Sequence, residues 1–196
     1  MLFKRIFILT IAAISVIFSF QVMAASEPEK KSAQVISKLY VTALEAWDMM
    51  QKDNSIILID VRDPIEIMFT GFTDETDIHV PFLLSDPSQK NPKKPVYAMK
   101  KNSNFLTEIE AKLKGMNVGK DKTIIFMCRS GSTRSAPAAD VLYQNGWKNV
   151  YTMVDGFEGA KSKEGKSKGV RKVDGWRNSG LPWGYKLNFD KMYLVP

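Results

Sequence analysis

Cys128 ends the apolar run Ile124-Ile125-Phe126-Met127 and opens a polar loop, Cys128-Arg129-Ser130-Gly131-Ser132-Thr133-Arg134-Ser135-Ala136; it is the chain's one cysteine. A β-rich run feeds a turn of Gly, Ser and Thr, and an alanine-rich helical pattern follows at once. That order aims successive backbone N–H groups and a helix N-terminus at one sulfur atom. Arg129 and Arg134 add positive charge. The thiolate is the reacting form of cysteine, and such surroundings bring its pKa from about 8.5 down to roughly 3.5–7.5. The reading is a nucleophilic Cys128 in an anion cradle made by Arg129, Ser130, Gly131, Ser132, Thr133 and Arg134. A buried structural thiol, the common fate of free cysteine, is the competing reading. It would call for neither a glycine at the turn nor flanking arginines.

A loop of this kind needs a strand to deliver it and a helix to receive it. Thr123 to Met127 reads as the strand, and Arg134 to Gln144 as the helix, with Pro137 tolerated in its first turn. Ser55 to Val61 is almost continuously apolar, as a strand covered on both faces should be. Asp60, Arg62 and Asp63 follow at its end. Leu39-Tyr40-Val41 and Val150-Tyr151-Thr152-Met153 read as further strands. Thr42 with Glu45 is a capping box, predicting a helix that turns Leu44, Trp47 and Met50 to the core and ends at Asp53-Asn54. From Glu66 to Phe82 the pattern is mixed, with a short helical turn and a brief strand. Ser85 to Pro95 reads as an exposed loop, and Asn104 to Leu113 as a helix with Phe105, Ile109 and Leu113 on one stripe. Strands alternating with helices argue for an α/β fold with a mostly parallel sheet, which places Cys128 at a strand's C-terminal edge.

The chain's 196 residues carry a formal charge of +7. Lys4 and Arg5, the apolar stretch Ile6 to Phe20, and Val22-Met23-Ala24 compose a signal peptide over 1–24, cleaved after Ala24. A stretch of 15 residues falls short of the roughly twenty that a spanning helix needs. No cysteine follows the apolar stretch, so no lipid anchor is expected. The expected product is exported and periplasmic, without stable membrane insertion. It comprises a flexible leader (25–34), one domain (35–188) and a C-terminal tail (189–196). Its charge is +5, since Lys4 and Arg5 leave with the signal and no acids do. The surplus suits small anions without pointing to nucleic acid. A disulfide would be favoured in an oxidising compartment, yet a lone cysteine cannot form one within its chain. Zinc spacing, a Walker loop, a dinucleotide fingerprint and internal repeats are lacking, so no metal or cofactor is expected.

With the loop in view, the chain resembles the rhodanese-type sulfurtransferases. The resemblance rests on Leu58-Ile59-Asp60-Val61-Arg62-Asp63-Pro64 with Glu66, on Cys128-Arg129-Ser130-Gly131, and on Val154-Asp155-Gly156-Phe157-Glu158-Gly159. The tail Asp174-Gly175-Trp176-Arg177-Asn178 with Gly180-Leu181-Pro182-Trp183 resembles exported single-domain members. The likeness spans roughly Val35 to Tyr185. It implies a five-stranded parallel sheet flanked by helices, with Asp60 and Arg62 bracing the loop beside the cysteine and Glu66 as further support. It also implies that Cys128 takes the outer sulfur of thiosulfate or a similar donor. The persulfide would then pass its sulfur to cyanide, a thiol or a protein relay partner. One feature departs from the pattern: Arg134 stands six positions after Cys128, where the closing arginine of these loops usually stands five. Cys-x5-Arg-Ser is the spacing of cysteine-dependent phosphatases and certain arsenate reductases, which form the alternative reading. Met127 stands where many such phosphatases carry histidine, and no aspartate is assigned as general acid. A third reading is a non-catalytic sulfur carrier or binding module.

The remaining groups read as structural. If Asp60 approached the cradle it would oppose a thiolate, so it is expected to be tied up in hydrogen bonds. His79, the chain's one histidine, is assigned a hydrogen-bonding role in the fold. Lys161 to Lys172 reads as a mobile, basic surface loop, with steering of an anionic donor as the sharper reading. Trp176, Pro182, Trp183 and Tyr185 are expected to pack across the domain as a lid over the core.

Overall fold

The two most apolar runs of the chain pair side by side at the centre of one sheet. Ile57–Asp60 and Ile124–Met127 are parallel, with Ile57 opposite Ile124 and Asp60 opposite Met127. All eight residues are buried. Such a pair has no solvent face, which explains the lack of apolar–polar alternation in either run.

The computed structural model describes residues 25–194. The segment read as a signal peptide lies outside them. The chain runs β1 (Tyr40–Val41), α1 (Ala43–Lys52), β2 (Ile57–Asp60), α2 (Pro64–Thr70), β3 (Ile78–His79), β4 (Leu83–Lys90), β5 (Tyr97–Lys101) and α3 (Phe105–Gly115). It continues through β6 (Ile124–Met127), α4 (Ser135–Gln144), β7 (Val150–Met153), β8 (Ala160–Lys161), β9 (Arg171–Val173) and α5 (Gly175–Asn178). The main sheet has five strands in the order β1-β7-β6-β2-β3, each neighbour parallel. One layer of the core joins Ile57, Ile59, Ile124 and Phe126 to Phe105, Ile109 and Leu113 of α3 and to Leu142 of α4. The other joins Leu58, Ile125 and Met127 to Ala43 and Ala46 of α1, with Trp176. Burying each such aliphatic side chain stabilises by roughly 1.5–3 kcal/mol.

Local signals account for the helix starts. Thr42 Oγ1 accepts from the Glu45 N–H at 3.2 Å, and Glu45 Oε2 accepts from the Thr42 N–H at 2.7 Å. Asp63 caps α2 through the Ile65 N–H at 2.8 Å, with Pro64 at the first helical position. The face of α1 is the expected one in part: Trp47 and Met50 pack against the core as expected, but Leu44 is 53% exposed, and Ala43 and Ala46 are fully buried in its stead.

Two segments read as loops are antiparallel hairpins. Much of Ser85 to Pro95 belongs to β4, paired with β5 from Leu83 opposite Lys101 to Lys90 opposite Tyr97. The basic stretch after Gly159 forms the β8–β9 hairpin, closed by a 3-10 turn over Gly165–Ser167. Neither alternates cleanly, because each stands off the sheet with little to bury. The leader lies along the domain: Lys31–Ala33 is a 3-10 turn with Ala33 buried, and Lys30 Nζ donates to Ser132 Oγ at 3.2 Å.

Trp176 is fully buried and meets Trp47 edge-on at 5.8 Å. Its Nε1 donates to the Pro182 carbonyl at 2.8 Å. Trp183 packs edge-on to Phe157 at 6.1 Å, whereas Tyr185 is exposed. The aromatic tail is thus graded, with Trp176 in the core, Trp183 across the surface above it and Tyr185 in solvent.

Candidate active site

The last residue of β6 delivers Cys128, and α4 begins seven residues later at Ser135. Between them the loop folds back under β7. Gly131 has φ +62°, and a Cβ there would run into the Val154 carbonyl. Gly156 has φ +63°, and a Cβ on it would collide with the Cys128 carbonyl and the Ser130 amide. Only glycine permits both the left-handed backbone and the close approach. The Val154–Glu158 segment then seals against the loop, with the Phe157 N–H donating to the Cys128 carbonyl at 2.8 Å and the Glu158 N–H to the Arg129 carbonyl at 2.9 Å.

This packing closes over the sulfur. Cys128 is 2% exposed and touches the core, deeper than the loop composition suggested. Its Sγ lies 3.2 Å from Ser135 Oγ, which accepts the Thr152 hydroxyl at 3.0 Å. Ser135 Oγ can thus accept from Thr152 and still donate its own proton to a thiolate sulfur. Burial pushes the Cys128 thiol up, but the Arg134 charge, the Ser135 hydroxyl and the backbone N–H groups of Ser135 and Ser130 together outweigh it. The net result is a pKa below that of an ordinary thiol.

The structure divides the six expected cradle residues. Ser130 and Arg134 act on the sulfur, and Gly131 shapes the turn. Ser132 is buried and takes Lys30 on its hydroxyl, while Thr133 is exposed beside Lys31 and Pro137. Arg134 is itself buried and forms a two-pronged pair with Glu66: Nη1 to Oε2 at 2.5 Å and Nη2 to Oε1 at 3.0 Å. Arg129 turns away from the sulfur to Glu158. Glu158 also takes Arg177 at 2.8 Å, so one buried carboxylate holds two guanidiniums. Both expected cradle arginines therefore enter the site already ion-paired.

Asp60 and Arg62 are fully buried against each other, with Arg62 Nη2 2.6 Å from Asp60 Oδ2 and Nε 2.9 Å from the same oxygen. The Arg62 guanidinium also stacks 3.9 Å over the Phe157 ring and donates to Thr70 Oγ1 at 2.9 Å. Asp60 is thereby spent in hydrogen bonds. The His79 Nδ1 accepts from the Tyr193 N–H at 3.1 Å, so the Nε2 proton goes to the Arg62 carbonyl at 2.8 Å. Burial lowers the His79 pKa and keeps the ring neutral, as this pair of bonds requires.

Sequence reasoning assigned no role to Glu158, although it lies within the quoted Val154–Gly159 run, or to Thr152, and it treated Arg171 only as one cation of the basic Lys161–Lys172 stretch. Arg171 lines a pocket of about 420 Å³ beside the cysteine loop, with Lys30, Ser130, Lys161, Asp155 and Asp174. A basic residue in a lysine-rich stretch carries no signal that distinguishes it from its solvated neighbours.

Fold and site together define an α/β domain with a thiol at a strand-to-helix turn. Residues 42–163 match the rhodanese-like domain, and the chain belongs to that family. It is 30% identical over 145 residues to an uncharacterized protein of Rickettsia prowazekii, covering 74% of this chain and 96% of that one. A homolog from Rickettsia rickettsii is 28% identical over the same shares. The crystal structure of Rv0390 from M. tuberculosis is similar at a TM-score of 0.59 and 32% identity, covering 75% of this chain and 97% of that one. Among the described residues no helix is long and apolar enough to cross a membrane.

Proposed function

We propose that the protein is a periplasmic sulfurtransferase that carries sulfane sulfur on Cys128. The observation that carries this reading is the Thr152–Ser135–Cys128 chain of contacts at the mouth of α4, beside Arg134. It is an arrangement that favours a sulfur anion and supplies no separate general base. The Cys128 thiolate attacks the outer sulfur of thiosulfate or a similar anionic donor. A new S–S bond forms as the donor's S–S bond breaks, and sulfite departs with the bonding electron pair. One negative charge then rests on the terminal sulfur of the persulfide, where the donors that favoured the thiolate act again. A thiophilic acceptor, cyanide or a thiolate, takes that sulfur and regenerates the Cys128 thiolate. No external oxidant or reductant enters, since sulfur passes between two nucleophiles.

The phosphatase or arsenate-reductase reading of Cys-x5-Arg is weaker on two counts. The Nη edge of Arg134 is occupied by Glu66 rather than free for a tetrahedral oxyanion. Asp60 is locked to Arg62, and Asp63 caps α2, so neither serves as a mobile acid for a leaving group. The deciding experiment is intact-mass measurement after exposure to thiosulfate. The expected result is a gain of one sulfur in wild type that cyanide removes as thiocyanate and that Cys128→Ser lacks. Phosphate-ester hydrolysis abolished by Cys128→Ser, with no sulfur gained from thiosulfate, would reverse the assignment.

A further inference from the structure

Arg129 and Arg134 are ion-paired with Glu158 and Glu66, which leaves open what holds the charged end of an anionic donor. The pocket beside the cysteine loop answers from a different element. Its walls are the leader (Lys30), the loop (Ser130) and the β8–β9 hairpin (Lys161 and Arg171). Arg171 Nη1 donates to the Gly159 carbonyl at 2.6 Å, which anchors the guanidinium at the hairpin base. Its Nε is buried and has no hydrogen-bond partner among the described residues. A buried donor without a partner is costly unless a ligand completes it. The two carboxylates lining the pocket do not supply that partner. Asp155 accepts from the Ala43 and Gly175 N–H groups, at 2.9 and 3.1 Å, and Asp174 accepts from the Ala160 N–H at 3.0 Å.

We propose that Arg171, presented by the β8–β9 hairpin, is the binding residue for the oxyanion end of the sulfur donor, with Lys30 and Lys161 on either side of that subsite. The inference rests on the sulfurtransferase reading for the identity of the ligand, and on the pocket for its place. Arg171 lines the same pocket as Ser130, two residues after Cys128, which places it beside the cysteine loop. The hairpin that reads in the sequence as a solvated basic loop thus adds one wall to the site.

The test is thiosulfate titration of the full-length protein, following persulfide formation by mass. Arg171→Gln is expected to raise the half-saturating thiosulfate concentration roughly tenfold, as loss of a charge-assisted hydrogen bond does, with little change in the rate at saturation. Arg171→Lys recovers part of the loss. Half-saturation unchanged in Arg171→Gln overturns the inference and leaves the sulfurtransferase reading intact. If Arg171→Gln does not fold, phenylglyoxal modification of wild type decides. Protection of Arg171 by thiosulfate, located by peptide mapping, supports the subsite, and modification at an equal rate overturns it. Calorimetric binding of thiosulfate to Cys128→Ser, compared with the same variant carrying Arg171→Gln, needs no turnover. A wild-type protein that binds thiosulfate through Arg171 but gains no sulfur would sink the reaction and keep the subsite.

Discussion

Ser135 is both the first residue of α4 and the hydroxyl in contact with the sulfur, so helix start and thiol environment share one position. Its oxygen accepts from Thr152, on the adjacent strand β7, while its own proton is free for Cys128. Ser135→Ala removes that donor while leaving Arg134 and the amides in place. A hydrogen bond to a charged group is worth roughly 1.5 kcal/mol, which corresponds to about one pKa unit. The pH at half-maximal alkylation of Cys128 is therefore expected to rise by about one unit. An unchanged alkylation profile would mean that the hydroxyl only fills space. At this scale the sequence was informative about the position of Cys128 and less so about its company. Cys128, Asp60, Arg62 and Glu66 were all legible as a group. The partner carboxylate Glu158 was not, because its pairing with Arg129 spans 29 residues and depends on how Gly156 folds. Arg171 was read only as one of the steering charges of its basic stretch, because no local cue set it apart from the lysines.

Between elements, the Glu66–Arg134 pair ties α2 to the mouth of α4. Arg134 is buried, and its charge serves two masters, Glu66 and the sulfur. Glu66→Gln removes the countercharge and is expected to produce opposite effects on stability and reactivity. A buried guanidinium without its carboxylate costs about 2–4 kcal/mol, visible as a lower denaturation midpoint. The same uncompensated charge favours the thiolate, so the alkylation midpoint of Cys128 moves to lower pH. If stability falls while the thiol pKa stays where it was or rises, the pair does not couple to the sulfur. The central strands were readable because burial on both faces leaves an unbroken apolar signature, as in Ile56 to Ile59 and Ile124 to Met127. The two hairpins were not, since Asp86, Pro87 and Ser88 in one and the lysines in the other follow no period. Alternation fails where a strand has no core to face.

Across the whole molecule, Asp155 joins parts of the chain that are distant in sequence: the start of α1 through Ala43, the loop after β7, and the start of α5 through Gly175. Burial pushes its carboxyl up to about 6, against backbone donors that favour the ionised form. A carboxyl that holds its proton more tightly when folded than the roughly 3.9 of an unfolded aspartate takes up a proton on folding. That contribution is complete below about pH 4 and is lost as pH rises through about 6. Unfolding free energy measured by denaturant between pH 4 and 7 is expected to show this decline in wild type and to lose it in Asp155→Asn. A slope shared by both proteins would assign it elsewhere.

The closure over Cys128 also has a kinetic meaning. A reagent cannot meet an atom that solvent scarcely touches until the surrounding backbone moves aside, so the frequency of that movement sets a ceiling on every encounter. Oxidants would face the same ceiling, which gives the sulfur a longer working life than its acidity alone would allow.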